Sequence, residues 1–240
     1  MKLLKAFKDE KLSGLKGGIY HLTQIKLAYN TNRIEGSKLS EEQTRYIYET
    51  NTLYLEDGEN TANIDDIIET VNHFSCFDYM LDIAVEPLSE EHIKKFHSLL
   101  KNNTSDSRKS WFNIGDYKSV ANMVGGTETS LPHNVAADME MLLERYHNSK
   151  QKTIEDIIDF HFEFERIHPF QDGNGRVGRL VMFKECLANN ITPFIIEDEH
   201  KFFYYRGLTE YSTTKGYLID TCLSAQDDYK LMIKYFFPNK

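Results

Sequence analysis

Three cysteines in 240 residues are too few, and odd in number, for a disulfide framework. Cys76, Cys186 and Cys222 form no C-x-x-C pair, and the expectation is reduced thiols in a cytoplasm. No apolar run is long enough to span a bilayer, so no membrane association is expected. Residues 1–15 mix charges and do not read as a signal peptide. A dense Lys/Arg run is missing, and the net charge of −9 argues against nucleic acid as a partner. Repeats and low-complexity linkers are absent. What is present is 40% hydrophobic residues, enough for a sizeable core in one large domain or one domain with an appendage.

Strand-like alternation is also missing from the most informative region. Ile154, Ile157, Ile158, His161, Phe162 and Ile167 recur at near-helical spacing. Thr153 with Asp156 gives a capping-box pattern at the start of that helix. Pro169 disfavours helical geometry at His168, so the helix is predicted to end there. A second helix is predicted from Asn174 or Gly175 through Ala188, stopped by Asn190 or the Pro193 region. Gly173-Asn174-Gly175 then lies at a helix N-terminus, where unpaired N–H groups and the helix dipole favour an anion. Glycine lets the backbone approach phosphate oxygens and form a nest. Arg176 and Arg179, at i and i+3, are predicted to project from one helical face near the same mouth. Two arginines and a nest suit a diphosphate or triphosphate better than a single phosphate. Asp172, just ahead of the nest, suits Mg²⁺, which takes carboxylate together with phosphate oxygens. His168 has an ordinary pKa near ~6.5 and can serve as a base at neutral pH.

Two other motif readings compete. Residues 173–178 match G-x-G-x-x-G literally, but that dinucleotide fingerprint needs a preceding strand, and a helix precedes it here. Glu144-Arg145-Tyr146-His147 and Glu165-Arg166-Ile167-His168 are both Glu-x-x-His, the pattern of di-iron helix bundles. That site needs both runs inside long helices, and His168 is at a helix end.

His168-x-Phe170-x-Asp172-Gly173-Asn174-Gly175-Arg176-x-x-Arg179 resembles the signature of the Fic family in full. The resemblance covers residues 60–215 or so. It implies an all-α Fic-fold helical bundle with a small β-hairpin flap beside the active site. It further implies a protein adenylyltransferase that moves AMP from ATP to a Ser, Thr or Tyr hydroxyl of a protein and releases pyrophosphate. By position in the motif, His168 would deprotonate the hydroxyl, Phe170 would pack inward, and Asp172 would bind Mg²⁺. Gly173, Asn174 and Gly175 would cradle the α- and β-phosphates, with Arg176 on the β-phosphate and Arg179 on the γ-phosphate. Thr31-Asn32-Arg33-Ile34-Glu35-Gly36 resembles the family's inhibitory motif, which implies that Glu35 pairs with Arg179 and that Thr31 helps hold the helix against the site. Tyr204 and Tyr205 are candidates to flank an adenine, Tyr205 by family position. Rival functions are a hydrolase that removes AMP from modified proteins, with Glu35 orienting a water, and a non-catalytic ATP-sensing module.

Along the rest of the chain, helices are predicted over 18–35, 39–50, 61–85, 89–101, 132–146, from Lys201, and over 216–237. Glu35 ends the first of these, where the dipole disfavours a carboxylate and a cation is wanted. An acidic loop at residues 56–60 follows the second. Ile64, Ile67, Ile68, Val71, Phe74, Phe77, Met80 and Leu81 read as the apolar stripe of the third. Tyr217, Leu218, Leu223, Tyr229, Ile233 and Phe236 read as the packing residues of the last. Residues 117–126 end in Gly125-Gly126, a hairpin signal. By resemblance this is the flap, docking a protein substrate by strand addition. The division expected is 1–58 for N-terminal helices with the inhibitory motif, 59–215 for the Fic core and 216–240 for a closing helix. A homodimer is compatible with exposed tyrosines near the termini, and self-modification is compatible with the expected activity, at a site the sequence does not assign.

Overall fold

Side-chain caps set where several helices begin. The computed structural model describes residues 2–55, 58 and 61–238; of the acidic loop at 56–60, all but Gly58 lies outside the described residues. Ten α-helices run α1 Lys2–Ser13, α2 Ile19–Ile34, α3 Glu41–Thr50, α4 Ile64–Asp82, α5 Glu90–Leu100, α6 Val135–His147, α7 Ile154–Ile167, α8 Asn174–Ala188, α9 Lys201–Glu210 and α10 Gly216–Phe236 among the described residues. Ser40 with Gln43 and Thr153 with Asp156 form capping boxes, and Ser89 accepts from the backbone of His92. Gly36, with φ at +102°, ends the α2 region as a residue without Cβ can.

The α7–α8 hairpin lies between two apolar clusters. One joins α1, α2, α4, α5, α6 and α8 through residues such as Phe7, Phe77, Phe96, Met139 and Phe183. The other joins α7 and α8 to α9 and α10 through Ile158, Met182, Tyr204 and Leu218. Helix α8 is therefore buried on nearly every side, and its charged residues are paired inside: Lys184 with Glu185 at 2.7 Å, and Glu185 with the Tyr146 hydroxyl at 2.8 Å. Helix α2 is likewise buried all round, and it packs against α1, α3, α4 and α8. An all-α bundle with one small sheet is the architecture expected from the sequence.

That sheet is β1 Met123–Val124 against β2 Thr127–Glu128, antiparallel, pairing Met123 with Glu128 and Val124 with Thr127. Gly125 and Gly126 both have positive φ, as a two-residue type I′ turn requires.

Three expectations need correction. Residues 2–13 form a helix that a mixed-charge reading did not show, because only Leu4 and Phe7 are buried from it. On α4 the buried face is Thr70, His73, Cys76, Phe77, Met80 and Leu81; Ile64 is 68% exposed and Val71 faces solvent. On α10, Tyr217 and Leu223 are exposed, while Cys222, Ala225 and Gln226 join Leu218 and Tyr229 inside. In both helices the apolar residues outnumber the positions that neighbouring helices cover. The three cysteines are free and buried. No helix among the described residues is long and apolar enough to cross a membrane.

Candidate active site

Helix α7 ends at His168 in a left-handed conformation, φ 51° and ψ 62°, an unusual place for a residue with a Cβ. Pro169 behind it blocks another helical turn. Phe170 is fully buried and stacks on His97, with ring centroids 4.0 Å apart and planes 7° apart. Asn174 closes the loop: its Oδ1 accepts from the Phe170 amide at 2.8 Å and its Nδ2 donates to the Phe170 carbonyl at 2.9 Å. The Asn174 side chain therefore shapes the loop, and only its backbone amide is left for a ligand. Gly173, at φ +82°, caps α8, and the first intrahelical bond runs from Val177 to Gly173. The amides of residues 174–176 thus lack intrahelical partners at the head of a 15-residue helix.

A carboxylate already faces that helix end. A Cβ on Gly175 would lie 2.2 Å from Glu35 Oε1, so the Glu35 side chain rests directly over the first turn of α8. Arg179 Nη2 donates to the same Oε1 at 2.6 Å, while its Nε donates to Thr31 Oγ1 at 2.7 Å. Glu35 caps the C-terminus of α2, where the dipole disfavours it, and the N-terminus of α8 and Arg179 compensate. The structure brings Thr31, Glu35, Gly175 and Arg179 together from two helices.

The other half of the loop is a charge network. Lys101 Nζ lies 2.6 Å from both Glu69 Oε1 and Asp172 Oδ2, and 2.8 Å from Asp106 Oδ2. Arg176 donates to Glu69 Oε2 and reaches Asp172 Oδ2 at 3.1 Å. Burial alone would raise the Asp172 pKa, but Arg176 and Lys101 outweigh it and hold the carboxyl well below the usual range. Its side chain stays 47% exposed and ionised. The two arginines therefore serve different carboxylates: Arg176 those of Glu69 and Asp172, and Arg179 that of Glu35. Lys101 and Glu69 carried no sequence signal, because their partners lie on other elements.

Burial, reinforced by the positive charge of Lys118, pushes His168 down to about 4, so its imidazole is neutral at pH 7. Glu165 Oε2 is 3.7 Å from His168 Nδ1. Burial first, then the nearby Glu35 charge, push the Glu165 carboxyl up to about 8. Glu165 is a site residue the sequence reading used only in the di-iron alternative; its i−3 placement before His168 was the available signal. Among the described residues no three His, Cys, Asp or Glu side chains are grouped to hold a metal ion, so the two Glu-x-x-His runs do not converge.

Tyr204 is 1% exposed, and its hydroxyl is engaged by His161 Nε2 at 2.6 Å and by Arg179 Nη1 at 3.3 Å. In this arrangement the Tyr204 hydroxyl supports Arg179. Tyr205 is partly exposed and donates to the Ile34 carbonyl at 3.0 Å, beside the inhibitory motif.

Residues 87–186 match the model of the Fic/DOC family. The chain is similar to the protein adenylyltransferase Fic of Drosophila ananassae, 26% identical over 189 residues that cover 75% of this chain and 35% of that protein. The protein of the same name from Aedes aegypti is 27% identical over 191 residues, covering 75% and 36%. The chain thus spans about a third of the length of the curated relatives it matches. A Fic domain-containing signaling protein from Bacteroides thetaiotaomicron superposes with a TM-score of 0.76 at 20% identity, over 99% of this chain and 97% of that one. A Fic family protein from Desulfovibrio desulfuricans gives 0.71 at 22% identity, over 94% and 69%. At these identities the structural likeness establishes a shared fold.

Proposed function

We propose, from the premise that this chain belongs to the Fic family, that it is a protein adenylyltransferase held down by its own Glu35. The single observation that carries the reading is a carboxylate seated on the N-terminal turn of α8 and paired with Arg179. That is where a helix end, a glycine and a guanidinium together would take a phosphate oxygen.

In this reading ATP lies along residues 172–179. The amides of 174–176 face the α- and β-phosphates, Arg176 turns to the β-phosphate, and Arg179 exchanges Glu35 for the γ-phosphate. The target hydroxyl oxygen attacks the α-phosphorus, its proton passes to His168, and the bond to pyrophosphate breaks. His168 Nδ1 faces Glu165, which leaves Nε2 to take the proton. A neutral imidazole is available across the physiological range because burial and Lys118 disfavour its charged form. Asp172, ionised and half exposed, fits Mg²⁺, which binds through one carboxylate plus substrate phosphates and needs no protein cage. When bound there, Mg²⁺ would neutralise charge developing on the pyrophosphate. Tyr205 is the candidate adenine contact. A target segment would add as a strand beside the hairpin of residues 123–128.

Removal of AMP from modified proteins is a second reading, favoured by Glu35 standing where it could orient a water. Release of AMP from a modified protein separates it from transfer. Three buried free thiols fit a reducing compartment such as the cytoplasm. The division at residues 58 and 215 belongs to this proposal. The test is labelling with α-³²P-ATP in a Glu35→Gly background, resolved by gel so that self-modification and target modification are distinct. His168→Ala is expected to abolish labelling and keep ATP binding. Absence of labelling in the Glu35→Gly chain itself favours a nucleotide sensor.

A further inference from the structure

The base of the hairpin holds a cation, Lys118, to which that reading gives no contact with nucleotide or target. Lys118 is 3% exposed. The acceptors of its Nζ are all neutral: Asn122 Oδ1 at 2.7 Å, Thr129 Oγ1 at 2.7 Å and the Ile167 carbonyl at 3.3 Å. Its backbone N–H donates to the Pro169 carbonyl at 2.9 Å. Asn122 Nδ2 donates to the Phe170 carbonyl at 3.2 Å, and Thr129 Oγ1 returns to Asn122 O at 3.0 Å. Both arms of the hairpin, Asn122 before β1 and Thr129 after β2, therefore meet at one ammonium group. The carbonyls of residues 167, 169 and 170, on either side of His168, all accept from this hairpin base.

Burying an ammonium without a carboxylate is costly, and a methionine would fill the volume without that cost. What the ammonium supplies is three donors in tetrahedral array, each directed at a different segment. Burial pushes Lys118 down to about 8, so it is still mostly charged at neutral pH.

We propose that Lys118 is a positioning residue that locks the base of the flap to the loop carrying His168, so that a strand laid on the flap arrives in register with the imidazole. The locking stands on the hydrogen bonds alone; its use in target transfer rests on the adenylyltransferase reading above.

The experiment compares the Glu35→Gly chain with versions that also carry Lys118→Met, Lys118→Arg or Thr129→Val. Hydrogen exchange is followed over residues 117–129, and the His168 imidazole is titrated by NMR. Lys118→Met is expected to raise exchange in that segment about tenfold, as loss of a net contribution near 1.4 kcal/mol implies. The charged groups facing His168 are Lys118 from the flap, Glu35 from α2 and Asp172 from the loop, while the Glu165 carboxyl of α7 stays protonated where His168 titrates. With only Lys118 neutralised, the proton affinity of His168 is expected to rise about tenfold. Lys118→Arg keeps the charge and should leave that titration in place. ATP binding should be unchanged, while label transfer falls through kcat rather than through the KM for ATP. If the methionine chain does not fold, Thr129→Val removes one acceptor with the lysine intact, and it should loosen the same segment. Exchange and titration both unchanged in Lys118→Met would overturn the proposal. No transfer by the Glu35→Gly parent would overturn the enzymatic reading, while exchange and titration still decide the lock.

Discussion

Replacing Glu35 with glycine tests the proposed inhibition most directly. Its carboxylate receives a 2.6 Å bond from Arg179 Nη2 and covers the head of α8. A charge-assisted bond of this kind contributes about 2 kcal/mol net. In the parent, a γ-phosphate must displace that carboxylate before Arg179 can receive it. Without Glu35 the competing bond is gone, and productive ATP binding should strengthen by about 30-fold, the equivalent of 2 kcal/mol. The ligand-free variant should melt earlier, because a buried guanidinium loses a counter-charge. That loss is limited, since Arg179 keeps Thr31 Oγ1 at 2.7 Å, the Thr31 carbonyl at 3.2 Å and the Tyr204 hydroxyl at 3.3 Å. Glu165 would also ionise more readily once Glu35 no longer repels its charge. The expected signature is a lower melting temperature without ATP and a larger rise on adding ATP than the parent shows. Calorimetric titration with a non-hydrolysable ATP analogue, together with α-³²P labelling, measures both sides. Equal affinity within threefold, with equal labelling, would refute the competition between carboxylate and phosphate.

Glu165→Gln probes the raised carboxyl beside His168. The folded state keeps the proton up to about 8, whereas the unfolded chain releases it near ~4.3. The parent should therefore lose stability relative to the glutamine variant as pH rises through that window, by about 1.4 kcal/mol per pH unit. Urea midpoints at pH 5 and pH 8 check this, and parallel pH profiles for the two chains would count against it. Gly175→Ala places a Cβ 2.2 Å from Glu35 Oε1 and 2.9 Å from Arg179 Nη1. It should weaken ATP binding even with Glu35 already removed, because the methyl group narrows the phosphate seat. Unchanged ATP affinity in the Glu35→Gly/Gly175→Ala chain would show that the phosphates do not approach Gly175.

Local features were the legible ones. The capping box at Thr153, the stop at Pro169, the Gly125-Gly126 turn and the α8 start near Asn174 depend on neighbours within four residues, and the structure has all of them. Helix faces were less legible. Thr70 and His73 of α4 are buried while Ile64 and Val71 are not, because burial depends on which helix lies alongside. Tyr204 and Tyr205 are adjacent and chemically alike, yet one lies under Arg179 and the other reaches partway to solvent.

The order of residues from His168 to Arg179 determined by itself a loop followed by a helix whose free amides, acid and guanidinium groups suit a polyphosphate. Helix geometry turns that spacing into position within a few ångströms. The tertiary structure alone decided what those groups now touch: Glu35, 144 positions before Arg179, Lys101, 71 before Asp172, and Lys118 across from Ile167. Charge pairing over such separations depends on how α2, α5 and the hairpin pack around α7 and α8, and that packing is a property of the whole core.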